Sequence, residues 1–394
     1  MRLAADAAAE LFPAAWLWAS APAHRDASTR QLSLSAMELS TPPALLSAEV
    51  VAAQSTLSLQ WDNGSITLYP GAFLRAHSLS APSLACDIAA SAPTTLPQRK
   101  EDVETFAFDS LFPTAAAEEQ QLALLRAINR SGVALVRGCP TEDPKAVERL
   151  AGSLAPVMRT IYGESWEVSV QEQPINVAYT SRELELHQDL VYYESPPGLQ
   201  LLLCREFSEG VRGGESTFAC ALSAAEALRR EDPLAFATLC RVPTTFQKVH
   251  YARATPAHIV TARPILSLGG GQWGGEGAVT AVFWAPPFEG PLRVPLADVE
   301  PYFHAYRAFA AILEGIGRGA RPGLLQFRLA PGEAIVFNQR RVLHGRRAFF
   351  SQGRFRRVLQ GCYIQADEWM SRLKSSQRGV PKEPLARTGN SQLW

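Results

Sequence analysis

The segment LELHQD, residues 184–189, constrains the fold more than any other part of the sequence. On a β-strand, residues two apart project from the same face, so the His187 imidazole and the Asp189 carboxylate can reach one ion. A second histidine, His344, lies in RVLHGRR, residues 341–347, after an apolar strand predicted at residues 334–337. We therefore predict that these three side chains share one metal ion.

Two histidines and one carboxylate on one face of a metal leave three coordination positions open, an arrangement typical of non-haem Fe(II) oxygenases. Arg357 follows His344 on the next predicted strand, where its guanidinium can hold a cosubstrate carboxylate in bidentate geometry. Arg356 competes for that role, and strand alternation favours Arg357 because it shares parity with Tyr363. A His-x-Asp pair alone is weak evidence, but the pair followed by this histidine and arginine is much stronger.

Short apolar segments with Gly- and Pro-rich turns surround the predicted site. Such segments predict strands near residues 133–136, 198–204, 215–219, 279–283, 334–337 and 356–364. Apolar residues at helical spacing predict helices near residues 115–130, 143–154, 221–230 and 299–317. Mostly short strands with helices packed outside favour a β-sandwich or barrel over a parallel α/β sheet. The predicted fold class is mainly β with flanking helices.

The N-terminal part of the chain reads as a separate, small β-rich domain. Residues 57–61 and 66–69 flank Asn63-Gly64, and Asn-Gly between apolar alternations is a strong hairpin signal. Residues 81–104 are rich in Ala, Pro, Ser and Thr before they become charged, as in a linker. We place the small domain at residues 1–95 and the larger, metal-binding domain at residues 96–394.

Composition and charge exclude several classes of protein. The 394 residues contain 38 Lys and Arg against 38 Asp and Glu, and this balance argues against nucleic acid or an anionic membrane as a partner. No apolar run reaches the roughly 18 residues that a transmembrane helix needs. Asp6 and Glu10 make the N-terminus a poor targeting segment, and six scattered cysteines without a Cys-x-x-Cys pair favour reduced thiols. We expect a cytoplasmic protein.

Further motifs accompany the metal-ligand pattern in a fixed order along the chain. They are NVAYT at 176–180, HQD at 187–189, PPG at 196–198, GGES at 213–216, LHGRR at 343–347 and MSRL at 370–373. Together they resemble the γ-butyrobetaine hydroxylases and their relatives, the trimethyllysine dioxygenases. The resemblance implies a double-stranded β-helix (jelly-roll) catalytic domain that uses Fe(II), with 2-oxoglutarate and O2 as cosubstrates, and often a homodimer.

The resemblance can be carried over residue by residue. It implies that His187, Asp189 and His344 bind the iron. It assigns the distal carboxylate of 2-oxoglutarate to Arg357, helped by the hydroxyl of Ser216. It assigns no catalytic side chain beyond the metal ligands.

The substrate side depends on the chemistry of quaternary ammonium groups. These groups neither donate nor accept hydrogen bonds, so proteins bind them with the faces of aromatic rings. The resemblance implies a cage of four rings with an amide beside it: Tyr162, Trp166, Tyr179 and Tyr363, with Asn176. A single aromatic residue is more often part of a core, but four at matching positions favour a cage.

Two features depart from the resembled family. Its N-terminal domain commonly binds zinc through cysteines and a histidine, but the matching segment, WASAPAHR at 18–25, has no cysteine. We therefore expect a metal-free domain stabilised by packing alone. The family also has an Asn-rich strand near the substrate, where this chain has VFWAPPF at 282–288. Trp284 cannot replace an amide pair that binds a carboxylate, so we expect a different carboxylate contact or a different substrate.

The expected activity is hydroxylation of a small cationic substrate, a trimethylammonium carboxylic acid, with γ-butyrobetaine as the first candidate. Trimethyllysine or another betaine-like or secondary metabolite is the alternative substrate. A rival of another class is a non-catalytic 2-oxoglutarate-binding protein. The full ligand set and Arg357 count against this rival, because a silent protein has no need of all four residues.

Overall fold

The structure, a computed structural model, describes residues 11–80, 96–112, 116–170, 177–269, 277–350 and 356–376. The described residues form two compact units, one within residues 11–80 and the other from residue 96 onward. The predicted domain boundary and most of the predicted linker fall at residues 81–95, outside the described ranges. The domain limits therefore stay a prediction.

The N-terminal unit is a three-stranded antiparallel meander with short helices. Its elements are α1 (Ala14–Ser20), α2 (Ala36–Ser40), β1 (Leu45–Val51), β2 (Thr56–Trp61), β3 (Ile66–Pro70) and α3 (Gly71–Ala76). The predicted hairpin is confirmed, and Gly64 supplies the positive φ, +82°, that its turn needs.

Alternate residues of the hairpin build the small core of this unit. Trp61 and Tyr69 are fully buried, and the Trp61 indole donates a hydrogen bond of 2.9 Å to the Thr67 hydroxyl. The His24 ring is held by the carbonyl of Trp18, 2.8 Å from its Nδ1. Packing of this kind is what we expected to stabilise the unit, and the absence of zinc stays a prediction.

The C-terminal unit contains the remaining elements. Its helices are α4 (Ala117–Ser131), α5 (Ala146–Leu154), α6 (Ala221–Glu231), α7 (Pro233–Arg241), α8 (Leu296–Gly317) and α9 (Ala366–Ser376). Its strands are β4 (Thr105–Ala107), β5 (Val133–Arg137), β6 (Ser165–Val168), β7 (Leu184–His187), β8 (Leu199–Phe207), β9 (Arg212–Gly213), β10 (Ser216–Cys220), β11 (Pro243–His250), β12 (Ala257–Pro264), β13 (Leu266–Gly269), β14 (Ala278–Val282), β15 (Leu324–Phe327), β16 (Ala334–Asn338), β17 (Val342–Arg346), β18 (Phe349–Phe350) and β19 (Arg357–Ile364).

Two sheets carry the architecture of this unit. The larger has the order β4-β5-β16-β8-β19-β6, and the smaller has the order β15-β10-β17-β7. The chain passes from β7 to β8 to β10, and later from β15 through β16 and β17 to β19, changing sheet at each step. This alternation winds the strands into a double-stranded β-helix, so the predicted jelly-roll is confirmed.

Strand alternation in β8 explains why the larger sheet is apolar on both faces. Leu201 and Leu203 pack with residues of α4, α5 and α9 on the outer face. Leu202 and Cys204 belong to the core between the sheets, together with Phe218 of β10. A strand buried on both faces reads as a continuous apolar run, which is why this strand was predictable.

The predicted strands and helices are present with shifted ends. The β11–β12 ribbon and the helices α7 and α9 were not predicted. None of the helices in the described ranges is long and apolar enough to cross a membrane.

Candidate active site

Two neighbouring strands bring the three predicted ligands together. β7 and β17 pair antiparallel with His187 opposite His344, and the two ring centroids lie 4.4 Å apart. Nε2 of His187 is 3.6 Å from Oδ1 of Asp189, and Nε2 of His344 is 3.6 Å from Oδ2. Ligand atoms from all three side chains lie within 4.8 Å of one another, close enough to share one ion.

The position of Asp189 differs from the sequence prediction. β7 ends at His187, so Asp189 lies beyond the strand. The next residue, Leu190, has a φ of 55°, a left-handed conformation that is uncommon for a residue with a Cβ. The chain therefore turns at the metal site, and strand alternation alone does not aim the carboxylate.

Two glutamines hold this turn. The Gln188 backbone N–H donates to the Trp284 carbonyl (2.8 Å), and the Gln188 side-chain oxygen accepts from the Trp284 N–H (3.1 Å). The Gln188 amide also donates to the Gln339 carbonyl (2.8 Å). The Gln339 side chain accepts from the Asp189 N–H (3.0 Å) and donates to the Asp189 carbonyl (3.1 Å). These reciprocal bonds fix the backbone that carries the carboxylate.

Hydrogen bonds also orient the ligand side chains themselves. Nδ1 of His187 lies 2.7 Å from the Glu185 carbonyl, and donation to this oxygen leaves the Nε2 lone pair for a metal. Oδ2 of Asp189 accepts from the Gln200 amide (2.9 Å) and from the Tyr363 hydroxyl (2.7 Å). The carboxylate is thereby held in one rotamer.

The electrostatics favour the protonation states that metal binding needs at His344 and Asp189, whereas the neighbouring Asp189 carboxylate favours the protonated form of His187. Burial, helped by the neighbouring His187, lowers the pKa of His344 to about 3, which keeps its imidazole neutral. Burial opposes ionisation of Asp189, but His344, His187 and the Tyr363 hydroxyl outweigh it and hold the pKa of Asp189 well below its usual range. Burial also opposes the charged form of His187, but Asp189 raises its pKa.

A cavity of about 340 Å³ opens onto the three ligands. Its lining includes aromatic rings, two arginines and a serine from both sheets and from the loops beside them: Tyr162, Trp166, Tyr179, Tyr363, Arg346, Arg357 and Ser216. Residues as far apart in the sequence as Tyr162 and Tyr363 therefore share one space. Asn176 lies outside the described residues.

Arg357 is buried at the start of β19 with part of its hydrogen-bonding capacity in use. Its Nε donates to the Gly214 carbonyl (3.2 Å), and its guanidinium carbon lies 5.6 Å from the ring centroids of both Phe207 and Phe349. Glu215 acts against the effect of burial on its pKa but is itself ion-paired with Arg328 at 3.3 Å. Burial lowers the pKa of Arg357 to about 10, so it stays charged at neutral pH.

Its neighbour Arg356 lies differently. Arg356 is exposed, with a guanidinium nitrogen 3.7 Å from Glu206. Ser216, the first residue of β10, is buried at the cavity wall with Arg357. A cationic group and a hydroxyl group therefore line the same cavity.

The four aromatic residues meet the cavity in different ways. Trp166 of β6 stacks on Tyr363 of β19, with ring centroids 4.1 Å apart and an interplanar angle of 25°. Tyr179 is buried, which raises its pKa to about 12. The Arg253 guanidinium lies 4.9 Å from the centroid of the Tyr162 ring. The rings line one space and the Tyr363 hydroxyl joins that space to the metal ligands.

Comparison with known proteins agrees with this geometry. The family model described as "Taurine catabolism dioxygenase TauD, TfdA family" matches residues 94–363. This chain belongs to the TauD/TfdA family. The dioxygenase str8 of Strobilurus tenacellus is 30% identical over 332 residues, covering 80% of this chain and 73% of its own.

Two further relatives carry names with a substrate. The γ-butyrobetaine dioxygenase of Pseudomonas sp. (strain AK-1) is 31% identical over 324 residues, which covers 82% of this chain and 79% of the relative. The mitochondrial trimethyllysine dioxygenase of Gallus gallus is 26% identical over 342 residues, which covers 86% and 76%.

As a TauD/TfdA family member, the chain is a 2-oxoglutarate-dependent dioxygenase with iron and 2-oxoglutarate as cofactors. The donor set fits Fe(II), because two imidazole nitrogens and one carboxylate oxygen leave positions free for a cosubstrate and O2. The predicted family and enzyme class are confirmed.

The segment with Trp284 is placed differently from the sequence interpretation. The Trp284 ring packs in the core, 4.7 Å from the ring centroid of Tyr306 and 5.2 Å from that of Phe309. Its backbone supports Gln188, as described above. The residues of this segment that line the TauD/TfdA cavity are Pro286, Pro287 and Phe288. The part of this segment that reaches the cavity is therefore largely apolar, and Trp284 supports the metal-site turn through its main chain.

Sequence reasoning missed several residues of the site. Gln188, Gln200 and Gln339 support Asp189, and Arg346 lines the cavity. The available signal for Gln200 was its own position, as a polar residue within the otherwise apolar first part of β8. Gln339 follows β16 and had no signal, because its partner lies 150 residues away in the sequence.

Proposed function

We propose that this dioxygenase hydroxylates a small trimethylammonium carboxylic acid similar to γ-butyrobetaine. The observation that carries the proposal is one cavity lined both by the three candidate iron ligands and by four aromatic rings. The match to a γ-butyrobetaine dioxygenase at 31% identity supports the same substrate class.

His187, Asp189 and His344 would hold the iron through two Nε2 atoms and a carboxylate oxygen. Iron, when bound with 2-oxoglutarate and O2, supplies the oxidation that places one oxygen atom in a C–H bond and another in succinate, with release of CO2. The chain supplies positioning, exclusion of water and the hydrogen bonds around the ligands. No side chain beyond the metal ligands needs to act as an acid or a base.

Arg357 and Ser216 would hold the distal carboxylate of 2-oxoglutarate. A buried guanidinium without a carboxylate partner is costly, because a buried charge needs compensation. A carboxylate entering this end of the cavity would accept two parallel hydrogen bonds from the guanidinium and one from the Ser216 hydroxyl. The Arg357 guanidinium carbon lies 5.6 Å from the ring centroids of Phe207 and Phe349, so apolar rings would border this pair.

Tyr162, Trp166, Tyr179 and Tyr363 would receive the trimethylammonium group, with Asn176 as a further substrate contact. Each desolvated ring face contributes about 0.5–2 kcal/mol of cation–π attraction. The facing sides of the Trp166 and Tyr363 rings contact each other, so a ligand would have to contact the parts of these rings that border the cavity. The Tyr363 hydroxyl stays with Asp189, so the bound cation would lie close to the iron ligands.

Trimethyllysine or a related amino acid is the second candidate substrate. Glu185, an exposed residue of β7, contributes to the cavity lining. Its carboxylate offers a partner for the α-ammonium group that trimethyllysine has and γ-butyrobetaine lacks. The 26% identity to a trimethyllysine dioxygenase supports this candidate.

The proposal is tested with a panel of acids incubated with Fe(II) and 2-oxoglutarate. The panel contains γ-butyrobetaine, trimethyllysine, and neutral acids of matched shape, and the readouts are succinate and a product about 16 Da heavier. We expect succinate formation to be stimulated by a cationic acid and lost in His187→Ala. Stimulation by neutral acids alone would contradict the cation-binding aromatic cage. If the biological function of the protein survives in His187→Ala although succinate formation does not, the non-catalytic binding protein would be favoured.

A further inference from the structure

Arg346 lies two residues after His344 on β17 and points its guanidinium at a loop of the cavity wall. It is buried, with 4% exposure. Its Nη1 donates to the Ala178 carbonyl (3.1 Å), and its Nη2 donates to the carbonyls of Thr180 (2.7 Å) and Arg182 (2.6 Å). One guanidinium thus binds three main-chain oxygens within five consecutive residues, 178–182.

These carbonyls flank Tyr179, one of the proposed cage residues. The Phe349 N–H adds a further bond to this loop, 3.0 Å from the Ser181 carbonyl. The Arg346 guanidinium also lies 4.9 Å from the centroid of the Phe349 ring. The loop is therefore fixed to the strand that carries His344, and the Tyr179 ring is fixed with it.

Arg346 differs in role from Arg357, although both line the same cavity. The Nη groups of Arg346 are used by carbonyls, whereas the hydrogen bond found for Arg357 uses Nε. An arginine whose forked donors are already bound to the main chain is a poor anion receptor. A buried cation is stable only while acceptors contact it. Movement of residues 178–182 away from Arg346 would leave a buried guanidinium without hydrogen-bond partners for its Nη groups, which is costly.

We propose that Arg346 is a positioning residue that holds Tyr179 in the cage and so sets the selectivity of this enzyme for a cation. The inference rests on the proposed function. Lysine cannot substitute for it, because an ammonium on a flexible stem does not match three carbonyls that face a planar fork. Iron and 2-oxoglutarate do not contact Arg346 in this scheme, so their binding should survive its replacement.

The test compares Arg346→Met and Arg346→Lys with wild type on two substrates. These are γ-butyrobetaine and its neutral isostere 5,5-dimethylhexanoate, in which carbon replaces nitrogen. We expect the preference in kcat/KM for the cation to fall about tenfold in both variants, roughly the worth of one desolvated ring. The KM for 2-oxoglutarate should stay near the wild-type value. An equal loss on both substrates, or full rescue by lysine, would overturn the inference.

Amide hydrogen exchange gives a readout that does not depend on turnover. Exchange should accelerate in residues 178–182 of Arg346→Met and stay unchanged in Arg347→Met. Arg347 is the matched control, since it is adjacent but bonds to Gln326, Glu183 and Gly317. Unchanged exchange in Arg346→Met would refute the positioning role. If wild type shows no cation preference while exchange responds, the proposed substrate is wrong and the selectivity role fails with it.

A double-mutant cycle separates Tyr179 from other effects of the arginine. In a Tyr179→Leu background, Arg346→Lys should cause little further loss of cation preference, because the ring it positions is already absent. Additive losses would mean that Arg346 acts elsewhere. The lysine variant keeps the charge, so the cycle remains informative if the methionine variant is poorly folded.

Discussion

Removal of the Tyr363 hydroxyl is a specific test of the metal site, because this hydroxyl joins the aromatic cavity to the candidate iron ligands. It donates to Oδ2 of Asp189 at 2.7 Å, and Gln200 is the second donor to the same oxygen at 2.9 Å. Tyr363→Phe removes one of these two donors while keeping the ring that stacks on Trp166. Since the remaining donor alone must hold the carboxylate rotamer, metal binding should weaken.

The expected loss follows from the role of the bond. A hydrogen bond to a charged group is worth about 1.5–3 kcal/mol. Loss of a partner that orients a metal ligand typically weakens metal affinity by about 10–100-fold. We therefore expect the Fe(II) dissociation constant of Tyr363→Phe to rise at least about tenfold. The KM for a cationic substrate at saturating iron should change less than about threefold, because the ring face remains.

Isothermal titration calorimetry with Fe(II) under anaerobic conditions measures this loss of iron affinity directly. Tyr193→Phe is a suitable control, since the Tyr193 hydroxyl accepts from the Ile161 N–H (2.9 Å) and does not contact Asp189. The control should bind iron as wild type does. Wild-type iron affinity in Tyr363→Phe, combined with a loss of cation preference, would refute the reasoning that the hydroxyl serves the metal.

Three further predictions concern the cosubstrate, the cage and stability. Arg357→Met should raise the KM for 2-oxoglutarate at least about tenfold, because it removes a charge-assisted pair with the distal carboxylate. Arg356→Met should leave this KM unchanged. Equal effects of the two variants in a succinate assay would contradict the assignment of the carboxylate to Arg357. Gly361→Ala places a Cβ 2.5 Å from the Trp166 ring, so steady-state kinetics should show weaker cation preference with unchanged iron binding. Burial raises the pKa of Glu289 to about 7 despite the Tyr306 hydroxyl, 2.8 Å away. The native state therefore retains this proton while the unfolded chain loses it, so the free energy of unfolding should fall by about 1–3 kcal/mol between pH 4.5 and 7 and level off above. Denaturant titrations of Glu289→Gln should not show this fall in the free energy of unfolding. A variant with the same pH dependence as wild type would contradict the prediction.

The sequence predicted five strands of the two main sheets, β5, β8, β10, β16 and β19, because nearly all of their residues are buried. It did not predict β4, β6, β15 or β17. β8 and β16 read as apolar runs, and the pair His187 and His344 could be assigned because ligand chemistry restricts residue types. The β11–β12 ribbon was missed because its residues are half-exposed, with Gln247, Lys248 and other polar side chains that weaken the apolar pattern. Its pairing depends on tertiary neighbours rather than on local preference.

The support of the metal site was less predictable than its ligands. Gln188, Gln339 and Asp189 meet through main-chain and side-chain bonds across the fold, and no spacing rule relates their positions. The strand interpretation of His-x-Asp predicted that these side chains lie close together, as they do, but its local reason was wrong, since Asp189 lies past the end of β7. Long-range hydrogen bonds, which leave no periodic trace in a sequence, set the final geometry.

The most direct test of the proposed function is the ratio of kcat/KM for γ-butyrobetaine to that for 5,5-dimethylhexanoate, with iron and 2-oxoglutarate saturating. The two acids share shape and carboxylate and differ in one positive charge. Ring faces that desolvate the cation should favour γ-butyrobetaine by at least about tenfold, since one contact of about 1.4 kcal/mol gives this factor. A ratio near one, or a preference for the neutral acid, would contradict a cation-binding aromatic cavity.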